Sequence, residues 1–259
     1  MSFFKKVFSK VGIGAAKVDT ILDRDLYRVG EPIDAIVKIK GGSVEQQIDA
    51  LYFSMHCNYI GERENSEGEE VDVTRTATID QFKLGESMLI QPGEEIELAV
   101  DMEVPLDAPL TFGRTKVWLK TGLDIKAAVD PGDRDYFQIQ PDHMQANVFQ
   151  ALEDLGFQMH EAECEEASRW NSRLPFLQEF EFKPISGPYY RRLDEIEIVF
   201  NHGGDHLEVL MEIDRRARGF SGFLAEAMNR DETKTRFTIS DEHPGEVLEI
   251  IQHIIDDNI

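Results

Sequence analysis

Val29-Gly-Glu-Pro-Ile-Asp-Ala-Ile-Val-Lys-Ile39 and Pro92-Gly-Glu-Glu-Ile-Glu-Leu-Ala-Val-Asp-Met102 write one pattern twice, a Gly-Glu turn followed by alternating side chains. In the first copy Ile33, Ala35, Val37 and Ile39 alternate with Asp34, Ile36, Lys38 and Lys40. In the second, Ile96, Leu98, Val100, Met102 and Val104 share one face, with Glu97, Asp101 and Glu103 on the other. A two-residue period is that of a strand with one buried face. The glycine of each copy suits the positive φ of a tight turn, and Pro92 suits the corner before it.

The same alternation recurs at Leu51–Cys57, with short candidates at KVWLKTGLDI, RDYFQIQ, FLQEFEF, EIEIVF and LEVLMEID. Such spacing, punctuated by Gly, Pro and Asp, is that of a β-sandwich. Gly61–Glu70 (GERENSEGEE) contains no apolar side chain and is expected to be a solvated hairpin loop. Past Gln140-Pro141-Asp142 the period changes. Met144, Val148, Phe149, Leu152 and Leu155 fall at helical spacing and stop at Gly156, a suitable residue after a helix end. Ser221 is a suitable N-cap for SGFLAEAMN, and Val247, Leu248, Ile251, Ile254 and Ile255 form a last helical stripe. The expectation is a mainly β, two-lobed protein, with a sandwich over 1–140 and a second β-sandwich lobe over 141–259 that carries a few short helices.

The 259 residues carry 50 acidic and 27 basic side chains, a formal charge of −23. Residues 1–140 hold −9 of it and 141–259 hold −14. Such a surface repels nucleic-acid phosphates and anionic headgroups, so nucleic acid is not an expected partner. Cys57 and Cys164 form no Cys-x-x-Cys pair, which excludes a disulfide framework and fits a reducing cytoplasm. Lysines interrupt the N-terminal apolar run, and no stretch approaches the ~18 apolar residues of a membrane span.

YRVGEPIDAIVKIKGG, PGEEIELAVDMEVPLDAPLTF and VWLKTGLDI together resemble the N-terminal sandwich of the arrestin clan, and LPFLQEFEFKP resembles a second-lobe version of the same strand. With MSFFKKVF, GIGAAKVDTILD, TGLDIKAAVDPGDRDYFQIQP and MEIDRRARGFSGFLAE in this order, the chain resembles the bacterial SpoOM sporulation-control family from end to end. That resemblance implies an arrestin-like fold and a role in regulating entry into sporulation. It also suggests buried charges between the lobes, which Asp130, Asp133 or Asp135 could join with an arginine. The chain is shorter than animal arrestins and has no tail that matches their receptor-regulated or coat-binding segments.

Candidate sites are few. Asn201-His-Gly-Gly-Asp-His206 holds two imidazoles and a carboxylate, a zinc-type donor set, but two glycines between strands read as a hairpin turn rather than a shared helix face. Asp130–Asp135 lacks the closing glutamate and spacing of a calcium loop. GIGAAK at Gly12–Lys17 is no phosphate cradle, and no nucleophile motif is present. No cofactor or catalytic residue is expected. Arg215, Arg216 and Arg218 gather guanidinium groups that suit a carboxylate-rich or phosphorylated protein, or pair internally. Phe3, Phe4, Val7, Phe8 and Val11 share a helical face, with Lys5, Lys6 and Lys10 mostly opposite; this is the pattern of a membrane-surface helix or of a packed terminal element.

The residues and the resemblance together point to a non-catalytic cytoplasmic adaptor or scaffold whose partners are other proteins, a second copy of the chain among them. The alternative is a peripheral membrane or cytoskeleton-associated organiser acting through Phe3, Phe4, Lys5, Lys6 and Phe8. A metal-dependent enzyme is the distant third.

Overall fold

The computed structural model describes residues 14–85, 87–125, 131–167, 172–214, 234–241 and 243–259. The twofold pattern that opens the sequence is resolved by direct pairing. Strand β3 (Pro32–Lys40) lies antiparallel to β7 (Glu95–Glu103), with Val37 opposite Leu98 and Ile39 opposite Ile96. Strand β1 (Lys17–Leu22) pairs on the other side of β3 to make a three-stranded sheet. Ile33, Val37 and Ile39 are buried inward. Outward, Lys38 and Lys40 meet Glu97 and Glu95 at 3.1 and 2.6 Å. Both turn glycines have positive φ, 75° at Gly30 and 72° at Gly93.

The second sheet is organised by β4 (Gln46–Glu64), which pairs with β5 (Glu70–Leu84), β6 (Met88–Ile90) and β8 (Val117–Ile125). From β8 it continues to β9 (Gly132–Gln140) and the short β2 (Leu26–Arg28). Phe53, Met55 and Cys57 of β4 point inward and are buried among the inner residues of β3, β8 and β9. The expected loop at Gly61–Glu70 is mostly strand. The β4–β5 ladder runs on through Glu62–Asp72 and Glu64–Glu70, and only residues 65–69 turn. Backbone pairing holds a two-stranded ribbon without an apolar face, and Asn65 Oδ1 closes its tip by accepting from the Glu67 and Glu69 N–H groups.

After Gln140 the period changes as read. Helix α1 (His143–Asp154) is capped by Asp142, whose side chain accepts from Gln145 N–H while Gln145 answers the Asp142 N–H. Strands β10 (Phe157–Glu166), β11 (Phe176–Pro184), β12 (Glu195–His202), β13 (Leu207–Asp214) and β14 (Lys234–Ile239) follow as an antiparallel series. Helix α2 (Pro244–Asp257) packs against α1. Among the described residues, the layer facing this part of the sheet is helical rather than a second sheet. Phe149 of α1 sits on Phe180, Phe182 and Phe200 at centroid distances of 5.1–5.8 Å. The helix expected at Ser221 lies outside the described residues.

The two halves share one sheet, because β10 runs parallel to β4 where Glu165 meets Ile60. They also share one apolar cluster, in which Phe112 meets Phe149 and Phe180, and Tyr59 stacks on Phe176. Phe180 is 1% exposed at this junction. Phe180→Ala is expected to cost about 3–5 kcal/mol in denaturant unfolding followed by circular dichroism, because the cavity would open in packing shared by both halves.

Candidate functional site

Three arginines stitch the halves together. Arg173 Nε and Nη2 fork onto the Asp107 carboxylate at 2.7 and 2.5 Å, and its Nη1 donates to the Ile79 carbonyl at 2.6 Å. Arg114 binds Glu163, with Nε at 2.6 Å, and Arg75 binds Glu166 at 2.5 Å and the Glu62 carbonyl at 2.6 Å. Gln178 does the same work without charge. Its Oε1 accepts from Leu110 N–H at 2.7 Å and its Nε2 donates to the Leu110 carbonyl at 2.8 Å. Exposed ion pairs contribute little each, so the seam's role is to fix register more than to add stability.

These pairs use Asp107, Glu163 and Glu166 and lie at the surface, their arginines 36–72% exposed, so they are not the buried network that the resemblance suggested for Asp130, Asp133 or Asp135. Asp133 instead accepts from Thr20 N–H at 2.8 Å, on β1 within the first half. Asp130 lies outside the described residues.

Between the 106–109 turn and the β11–β14 edge lies a cleft of about 650 Å³. Its cations, Arg173 and Arg236, are occupied by Asp107 and by Glu208, the latter at 3.2 Å. His202 lines it but is not poised as a base. Its Nδ1 accepts from Gly204 N–H at 3.1 Å, and its Nε2 donates to Asp142 at 2.5 Å, so both ring nitrogens are engaged. His202-Gly-Gly-Asp-His206 is the β12–β13 hairpin, tied by His202 to the cap of α1. His206 turns to its neighbour Asp205 at 2.8 Å, and a Cβ on Gly203 would stand 2.3 Å from its half-exposed ring, which would have to swing aside. Among the described residues no three His, Cys, Asp or Glu side chains converge as metal ligands. Cys57 and Cys164 form no disulfide and are buried, and burial pushes both thiols up, that of Cys164 to about 12.

A carboxylate ladder on the C-terminal sheet was not anticipated. Glu161, Glu181, Glu197 and Glu212 stand opposite one another in register on β10–β13, and Lys234 of β14 ends the row, 3.5 Å from Glu212. Glu179 lies beside them opposite Glu163, 4% exposed, with neither carboxylate oxygen hydrogen-bonded. Burial first, and then the charges of Glu165, Glu197 and Glu212, push Glu179 up to about 9. Glu165 and Glu197 rise to about 7, again chiefly by burial. Lys183 moderates one end, 2.5 Å from Glu181 and 3.8 Å from Glu195. The sheet tolerates like charges side by side because protonation removes part of the repulsion.

Arg215, Arg216 and Arg218, and Phe3, Phe4, Lys5, Lys6 and Phe8, lie outside the described residues. The seam arginines were not found from sequence, because their partners are 66 residues away for Arg173 and 91 for Arg75.

One long sheet that runs through both halves by way of β4, a three-stranded sheet beside it and helices on one face of the second half define a mainly β protein. The SpoOM protein family profile matches residues 4–217. The sporulation-control protein spo0M of Bacillus subtilis strain 168 is 41% identical over 259 residues, covering 99% of this chain and 98% of its own. The crystal structure of Spo0M from Bacillus subtilis superposes with a TM-score of 0.86 at 39% identity, over 95% of this chain and 100% of that one. The chain belongs to the SpoOM family.

The ladder sets a sign for pH dependence. Folded, Glu179 keeps its proton up to about 9; unfolded, it releases it near the ordinary 4.5. The native state therefore binds more protons across that window, and stability falls as pH rises through it, at about 1.4 kcal/mol per pH unit for one proton. Glu179→Gln is expected to match the parent near pH 5 and to exceed it increasingly toward pH 8 in parallel melts.

Proposed function

We propose that this protein is a non-catalytic, arrestin-like adaptor or scaffold that regulates sporulation or cell-state control in the cytoplasm by binding other proteins. The observation that carries the reading is the end-to-end 41% identity to a protein named for sporulation control. The geometry supports the adaptor part of it. His202 has no free ring nitrogen, both cysteines are buried as thiols, and the cleft cations are occupied by carboxylates. A shared sheet and a stitched seam hold broad surfaces in fixed relation, which suits a protein that positions partners. No helix among the described residues is long and apolar enough to cross a membrane.

Expression of this chain in a Bacillus subtilis strain lacking its spo0M is expected to restore the sporulation frequency of the parent; failure at normal protein levels would refute the regulatory reading. Arg215, Arg216 and Arg218 are proposed as a partner contact. Replacing all three with Gln is expected to leave the melting temperature unchanged and to reduce partner capture and sporulation together. A large fall in melting temperature would instead assign them to internal pairing, where each broken buried pair costs roughly 3–5 kcal/mol.

A further inference from the structure

The outward face of the first half's large sheet departs from the acidic character of the chain. In register across β4, β8 and β9, Ser54, Lys120 and Arg134 form one row, and His56, Trp118 and Tyr136 form the next. Tyr52 and Lys83 stand opposite each other on β4 and β5, and Lys116, just before β8, is tied by its backbone to Asn58 of β4. Lys83, Lys116, Lys120 and Arg134 are all exposed. None of them ion-pairs with a carboxylate among the described residues, whereas Lys38 and Lys40 on the opposite sheet are both paired with glutamates.

Aromatic rings support these cations. The Arg134 guanidinium lies 5.2 Å from the Trp118 ring centroid and Lys83 Nζ 5.3 Å from that of Tyr52. Trp118 is held between His56, at 5.7 Å, and Tyr136, at 5.6 Å. Burial lowers the His56 pKa, a hydrogen bond to the Ala77 backbone opposes this, and Lys120 and Arg134 lower it further, the response expected in a locally positive field. Asp124, 3.3 Å from the Tyr52 hydroxyl, marks one border of the patch.

We propose that this face is a docking surface for an extended acidic segment of a partner protein, its carboxylates held by Lys120 and Arg134 and flanked by Lys83 and Lys116. Charge complementarity fixes the sign of the partner. Size argues for a peptide: four strands at a spacing of about 4.8 Å span roughly 15 Å, the length of four or five extended residues. A membrane surface calls for a broad basic face, and here a chain of −23 surrounds a small one. Nucleic-acid bases need free ring faces, and Arg134 already covers Trp118. The inference rests on the adaptor reading and names one of its contact faces.

The test is fluorescence anisotropy with a fluorescein-labelled decapeptide of alternating Glu and Asp, at about 50 mM salt, where screening is weak. Wild-type protein is expected to bind, and Lys120→Glu/Arg134→Glu to lose at least about tenfold in affinity with an unchanged melt, since charge reversal turns attraction into repulsion. If that variant does not fold, Lys120→Gln/Arg134→Gln takes its place, with Lys38→Gln/Lys40→Gln as the control that keeps wild-type affinity. No binding by wild type, or equal loss in the control, overturns the proposal. So does tighter binding of phosphatidylserine vesicles, of a thymidine oligonucleotide or of a second copy of the chain, if Lys120 and Arg134 mediate it. A wild type that restores sporulation yet ignores the peptide refutes this face and leaves the adaptor reading standing; a wild type that binds the peptide but restores nothing refutes the regulatory reading alone.

Discussion

A strand of 19 residues presents two rows of backbone groups, and every buried one needs a partner. No single neighbour of β4 is long enough to supply them all. One edge is met by β5 and β6, the other by β8 as far as Cys57 and then by β10 at Ile60. The handover at the far end puts β10 beside the first half, and with it Phe176, Phe180 and the carboxylates that Arg75 and Arg114 reach. The seam is thus a consequence of backbone pairing that side chains refine.

The sheet that grows from this handover has two unlike faces. One is packed by α1 through Phe149 and carries the apolar members of each alternation. The other gathers glutamates from four strands. A row of ionised carboxylates at that spacing would push the strands apart, and replacing it with apolar residues would merge two surfaces that the fold keeps distinct. Glu197 within the row, and Glu165 and Glu179 beside it, hold their protons above the ordinary carboxyl range, and Lys183 and Lys234 pair with others, which together relieve part of that repulsion. The outward face of the first half resolves the opposite problem, since its cations rest on aromatic rings rather than on carboxylates.

Much of the architecture was legible because its signals are local. The Gly-Glu turns, the two-residue period of β3 and β7, the stop of α1 at Gly156 and the apolar stripe of α2 each depend on residues within a dozen positions of one another. The pairing of β3 with β7 was not legible, since alternation shows that a strand has a buried face and not which strand lies beside it. Gly61–Glu70 misled because a polar stretch signals solvent, and a solvated ribbon can still be strand. The carboxylate ladder escaped for a related reason. Glu179 and Glu181 occupy the polar positions of their strand, yet they are only 4% and 5% exposed. The hairpin was legible from Gly203 and Gly204, but His202 ends β12, and its bond to Asp142 spans 60 residues and had no sequence signal.

The ladder also changes what the composition says about the whole molecule. A formal charge of −23 counts every carboxyl as ionised, and a sequence isoelectric point of 4.6 assumes ordinary carboxyls. With Glu179, Glu165, Glu195 and Glu197 all holding protons well above that range, the folded protein near neutrality is less negative than its unfolded chain. Folded and unfolded forms of identical mass then differ in effective charge. In a native gel at neutral pH the compact form would migrate by a smaller charge as well as a smaller radius, and the mobility of the folded protein would carry a record of protons that its sequence does not reveal.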